Sequence, residues 1–119
     1  MTHSGKTYVL TGVSSGVGAA VAADLAARGA RVIGIDRVEP KAAVAGFYRC
    51  DLTDPAQIDA TVAAISGPID GLVNIAGVPG SLPGETVVKG NYLAVRRMTE
   101  ALLPRLSDFF FFNDTATTE

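Results

Sequence analysis

With 119 residues, 48% of them hydrophobic and 18% charged, the chain suits one compact domain with a real core and falls outside the composition of disordered sequences. Its formal net charge of −2, with Lys and Arg scattered rather than striped, supplies no field for a phosphate backbone and speaks against nucleic acid as a partner. A single cysteine, Cys50, and a single histidine, His3 in a start expected to fray, exclude an internal disulfide and argue against a structural metal; no apolar run reaches the roughly 20 residues of a membrane span, so the expectation is a cytoplasmic protein without a membrane partner.

From Lys6 onward short β-branched runs alternate with longer alanine-rich segments, the rhythm of a parallel sheet covered by helices on both faces. A first strand is predicted at residues 8–11 and a helix from about 17 to 28, burying Val21 and Leu25 and closed by Gly29 as a left-handed cap. The second strand covers 31–35, and the connection from 38 to 46 has room for at most one helical turn after Pro40. A third strand at 47–50 leads through Asp51, Leu52 and Thr53 to Asp54-Pro55-Ala56-Gln57, an N-cap followed by a proline at the first helical position and a capping-box partner. The helix that starts there carries Ile58, Val62 and Ile65 on one face and stops at Gly67-Pro68. A fourth strand at 71–75, a loop rich in Gly and Pro at 77–84, and a last helix from about 85 to 106 with Tyr92, Val95, Thr99 and Leu102 on one face complete the reading.

The turn between the first strand and the first helix, TGVSSGVG, carries the chemistry. Gly12 permits the tight turn, Gly16 lets the backbone approach a phosphate with no Cβ in the way, and Gly18 allows close packing of helix on strand; the helix N-terminus beside Val17 offers free N–H groups to a pyrophosphate, and Ser14 and Ser15 add hydroxyl donors. Asp36, directly after the second strand and about 20 residues beyond the glycines, is placed to accept hydrogen bonds from both adenosine ribose hydroxyls. A carboxylate there repels a 2′-phosphate and selects NAD rather than NADP, although the neighbouring Arg37 could pair with that phosphate. Gly5-Lys6-Thr7 lacks both the upstream glycine and the preceding strand that a P-loop needs.

These residues resemble the short-chain dehydrogenase/reductase family, whose TGxxxGxG spacing is matched by Thr11, Gly12, Gly16 and Gly18. The resemblance implies an α/β fold, a Rossmann-like doubly wound parallel sheet with strand order 3-2-1-4. It makes Asp51 and Leu52 the adenine-contacting pair and matches Asn74, Ala76 and Gly77 to the Asn-Asn-Ala-Gly signature. Ile75 departs from that signature and removes the side chain to which a hydrogen bond is usually attributed. By the same resemblance Asn91 helps to hold a water relay behind a catalytic lysine. Within the family the IDGLVNIAGVPG and NYLAVRRMTEALLPRL segments resemble the coniferyl-alcohol dehydrogenase and 3α-hydroxysteroid dehydrogenase branch. The implied activity is hydride transfer between nicotinamide and a small-molecule alcohol or ketone, in a homo-oligomer when complete.

Family members also use a serine and a Tyr-x-x-x-Lys pair beyond a fifth strand. Here Tyr8, Tyr48 and Tyr92 are followed at the fourth position by Gly12, Leu52 and Arg96. The expectation is therefore an incomplete dinucleotide-binding domain over residues 1–107, inactive as written, with its fourth strand an exposed edge. Residues 108–119 read as a non-native tail: four phenylalanines in succession precede NDTATTE, which resembles the translation of a standard sequencing-library adapter. The alternative function is a non-catalytic dinucleotide sensor, which needs neither tyrosine nor lysine; a flavin- or S-adenosylmethionine-binding domain fits Asp51-Leu52 and Asn74-Ala76-Gly77 poorly.

Overall fold

The computed structural model describes residues 3–14, 16–77 and 81–113, residues 107–113 by their backbone alone. Among the described residues five parallel strands, β1 (Thr7–Thr11), β2 (Arg31–Asp36), β3 (Gly46–Arg49), β4 (Ile69–Asn74) and β5 (Leu106–Asn113), form one sheet in the order β3-β2-β1-β4-β5. The expected order 3-2-1-4 is present. Leu10 stands opposite Gly34 of β2 on one side and Val73 of β4 on the other, and Asp36 opposite Arg49.

Period-two alternation sends the strand side chains into two cores. Tyr8, Leu10, Val32 and Val73 pack beneath α1 (Gly16–Ala27), whereas Val9, Ile33, Ile35 and Leu72 pack on the other face against α2 (Pro55–Ala64) and α4 (Ala94–Leu102). On α1 the buried stripe is Gly18, Ala22 and Leu25; Ala22 takes the place expected for Val21, which is only partly buried. Its alanines and glycines let the helix lie close to the sheet. The β2–β3 connection contains no helix, as its brevity requires.

The last helical segment departs most from expectation. It runs through α3 (Gly84–Val88), a π-helical turn (Lys89–Leu93) and α4, and Pro104 then limits it to a single 3-10 turn (Leu103–Arg105). Proline has no N–H for the carbonyl four residues back and its ring crowds that position, so the helix stops short of Leu106. Its buried positions are Gly90, Ala94, Met98 and Leu102, while Tyr92 is 58% exposed. The π turn inserts a residue and displaces the face predicted from a regular 3.6-residue period.

β4 is also not an edge. β5 lies beside it, pairing Leu106 with Ile69 and, after a register shift, Val73 with Phe112. The open edge of β4 offers a row of unpaired N–H and C=O groups, and an apolar run of high β-propensity satisfies them. His3, expected to fray, is held instead: its Nδ1 pairs with the Tyr8 hydroxyl at 2.7 Å. Among the described residues no helix is long and apolar enough to cross a membrane.

Candidate functional site

Because the strands are parallel, their C-terminal ends open on one edge of the sheet, and the residues just beyond them converge there. β1 ends at Thr11, turns through Gly12, Val13 and Ser14, and gives way to α1 at Gly16, with Val17 half exposed on its first turn. A Cβ on Gly12 would stand 2.7 Å from the Ala76 nitrogen, and one on Gly18 would stand 1.7 Å from the Gly12 carbonyl oxygen. Those two glycines let β4 and α1 close onto the turn. At Gly16, where φ is +53°, nothing lies within 4 Å of such a Cβ. The first turn of α1 holds no acidic side chain, and its N-terminal N–H groups face that open space, a cradle that fits a phosphate. Ser15 lies outside the described residues.

Thr11 fastens the base of the opening. It is buried, and its Oγ1 accepts the N–H groups of Ile75 at 3.1 Å and Ala76 at 3.2 Å, joining the end of β1 to the segment after β4. Asp36 ends β2 on the neighbouring side. Its Oδ2 accepts the Ser14 N–H at 3.0 Å and the Ser14 hydroxyl at 2.5 Å, and its Oδ1 accepts the Arg37 N–H at 2.7 Å. The Ser14 hydroxyl, expected to serve an anion, is thus engaged by the acid of β2. Arg37 is exposed, and its carbonyl accepts Arg49 Nη1 at 2.5 Å.

Beyond β3 the chain forms a second wall. Asp51 Oδ1 accepts the Thr53 hydroxyl at 2.7 Å and the Thr53 N–H at 3.0 Å, and these bonds, helped by Arg37, hold its carboxyl below the usual carboxylate range. Cys50 is fully buried; burial pushes its thiol up, Asp51 and Asp54 add to the effect, and a hydrogen bond with Thr61 opposes it. Asp54 caps α2 as expected, accepting the Ala56 N–H at 3.0 Å. The Asp54 N–H is already given to the Asp51 carbonyl, so Gln57 reaches further back than a capping box requires. Its Oε1 accepts the Asp51 N–H at 2.8 Å while its Nε2 donates to Asp54 Oδ2 at 3.2 Å.

Asp36, Arg37, Cys50, Asp51, Leu52, Thr53, Ala76, Gly77 and Gly90 enclose a cavity of about 160 Å³. Acceptors at Asp36 and Asp51 beside apolar surface from Leu52 and Ala76 suit a ligand with polar hydrogens around an apolar body.

The sequence model of the family described as short chain dehydrogenase matches residues 6–108. The chain belongs to the short chain dehydrogenase family. It is 44% identical over 106 residues to a coniferyl-alcohol dehydrogenase from Pseudomonas sp. (strain HR199 / DSM 7063), the match covering 89% of this chain and 42% of that protein. Among solved structures it is similar to NADH-dependent reductase A1-R′ complexed with NAD, at 26% identity and a TM-score of 0.75, covering 87% of this chain and 53% of that one. It is also similar to a variant actinorhodin polyketide ketoreductase with NADPH, at 33% identity and a TM-score of 0.71, covering 82% and 46%. The chain spans less than half the length of the curated dehydrogenase it matches.

Of the residues expected at the site of this short chain dehydrogenase, Gly12, Ser14, Gly16, Val17 and Gly18 form the glycine turn and do not line the cavity, and Asn74 and Asn91 stand apart from it as well. Asn74, the last residue of β4, is buried and its Nδ2 donates to Thr99 Oγ1 at 3.4 Å, so it braces the sheet against α4. Asn91 lies in the π turn and lines a separate, more open cavity with Tyr92, Val95 and Thr99, one residue from the Gly90 that lines the first. Ile75 packs against the core beneath α1 and contributes only its N–H to the opening. None of the tyrosines lines the first cavity: Tyr8 is buried against His3, the Tyr48 hydroxyl donates to the Ala64 carbonyl at 3.3 Å, and Tyr92 is exposed.

Cys50, Thr53, Gly90 and Gln57 were not anticipated as parts of the site. Thr53 carried a signal, since an acid two residues before a threonine is the pattern of an Asx turn. Gly90 and Cys50 carried none, because only the packing of the last helical segment over the β3 end makes them neighbours.

Proposed function

We propose that the chain is the adenosine- and pyrophosphate-binding part of an NAD-dependent dehydrogenase acting on an alcohol or ketone of aromatic or steroidal character. Asp36 carries the reading: a carboxylate at the end of β2, tied to the glycine turn by Ser14 and lining the cavity, accepts from ribose hydroxyls and repels a 2′-phosphate. In this assignment Gly12, Ser15, Gly16, Val17 and Gly18 serve the pyrophosphate, while Ser14, expected there too, holds Asp36 instead. Asp51 and Leu52 meet the adenine, Arg37 flanks the ribose, and Asn74, Ala76 and Gly77 complete the site at the end of β4. Asn91 holds a water behind the reacting centre. The nicotinamide, when bound, accepts or delivers the hydride. One similar structure carries NAD and another NADPH, which supports a nicotinamide dinucleotide without deciding between them; the Asp36 carboxylate supports NAD. The likeness to a coniferyl-alcohol dehydrogenase supports the substrate class.

On this reading residues 1–107 form the dinucleotide-binding domain, residues 108–119 come from adapter read-through, and the catalytic Ser and Tyr-x-x-x-Lys belong to the parent sequence beyond. The parent acts in the cytoplasm as a homo-oligomer. Titration of the chain with NAD, NADP and flavin mononucleotide, followed by calorimetry, tests the cofactor; NAD is expected to bind tightest, and equal binding of NAD and NADP or preferential binding of flavin overturns it. Sequencing the source DNA past Leu106 tests the rest. A Ser and a Tyr-x-x-x-Lys in frame support the enzyme, and a natural stop with neither supports a dinucleotide sensor instead.

A further inference from the structure

We propose that Ser14 is a specificity-determining residue, fastening the Asp36 carboxylate in the position that keeps a 2′-phosphate out. The proposal rests on the dinucleotide reading above and concerns how the site chooses between two dinucleotides. A carboxylate offers about four lone-pair positions. Three of those on Asp36 are filled: Oδ2 takes the Ser14 N–H at 3.0 Å and the Ser14 hydroxyl at 2.5 Å, and Oδ1 takes the Arg37 N–H at 2.7 Å.

With both oxygens held from different directions, the carboxylate cannot turn without breaking a charge-assisted hydrogen bond. Two of the three donors come from a residue 22 positions earlier in the chain, in the glycine turn. An acid at a strand end with only its own neighbour for support could rotate aside. The exposed guanidinium of Arg37, which lines the same cavity, would then be free to meet a phosphate. Ser14 opposes that exchange. The arrangement still admits a ribose, because one position on Oδ1 is left for a ligand hydroxyl.

The test is the ratio of the NADP and NAD dissociation constants, measured on the full chain by calorimetry for wild type, Ser14→Ala, Ser14→Thr, Asp36→Ala and the Ser14→Ala/Asp36→Ala double variant. Damage to the turn weakens both dinucleotides alike and cancels in the ratio. Ser14→Ala is expected to lower the ratio about tenfold, the scale of one charge-assisted hydrogen bond. Ser14→Thr, which keeps the hydroxyl, is expected to restore it, and Ser14→Ala is expected to add nothing once Asp36 is gone. A Ser14→Ala ratio equal to that of wild type, or the same tenfold change without Asp36, overturns the role of Ser14 alone. Wild-type chain that binds neither dinucleotide overturns the dinucleotide reading and this proposal with it.

Discussion

Gly16 and Gly18 stand two positions apart in one turn and answer to different constraints. A methyl group on Gly18 would lie 1.7 Å from a backbone oxygen, whereas one on Gly16 would meet nothing within 4 Å. Gly18→Ala is therefore expected to cost about 3 kcal/mol or more of stability, since backbone rather than a flexible side chain must move. Gly16→Ala carries only the left-handed φ, a cost of about 1–2 kcal/mol, but places a methyl in the space assigned to the phosphates. Urea unfolding joined to NAD titration separates the two: Gly18→Ala should lower the midpoint sharply, and Gly16→Ala should lose more affinity than its stability change explains. The motif made both roles legible, because each follows from the missing Cβ. The bond between Ser14 and Asp36 was not legible, since nothing local shows which acceptor a hydroxyl in a turn will find.

At the level of elements, Thr11 shows what joins the strands at the site. Its Oγ1 accepts two N–H groups from the segment after β4, although the Ile75 N–H also reaches the Thr11 carbonyl at 3.3 Å. Thr11→Val conserves shape and removes the acceptor, leaving the Ala76 N–H without this bond. The expected loss is about 1–3 kcal/mol, read as a fall in Tm of roughly 5–10 °C, with NAD affinity falling as the Ala76 edge of the cavity loosens. The same boundary explains which elements were readable. β1, β2 and α2 announce themselves through β-branched runs and the Asp54-Pro55 start, signals confined to a few residues. The face of the last helical segment does not, because Gly90 and Ala94 are buried for their smallness rather than their hydrophobicity.

For the molecule as a whole, Cys50 reports on how the two halves of the cavity are held. It is fully buried in the core beneath α2 and α4 and at the same time lines the cavity. Its thiol lies above the usual range, chiefly from burial, so alkylation by iodoacetamide should be slow and should rise with pH later than for a free cysteine. Saturating NAD is expected to slow it further if opening of the cavity limits access; an exposed-thiol rate that NAD does not change contradicts the placement. The sequence by itself determined the alternation of strands and helices expected of a parallel α/β sheet and the glycine turn, because period, turn chemistry and a missing Cβ act over a few neighbouring residues; the strand order 3-2-1-4 followed only from the family resemblance. Tertiary structure alone decided that Ser14 engages Asp36, that Gln57 braces Asp51, that Asn74 is a strut and that β4 is covered by β5. Each of those depends on a hydrogen bond or a strand edge between segments far apart in the chain, where only the packed geometry selects the partner.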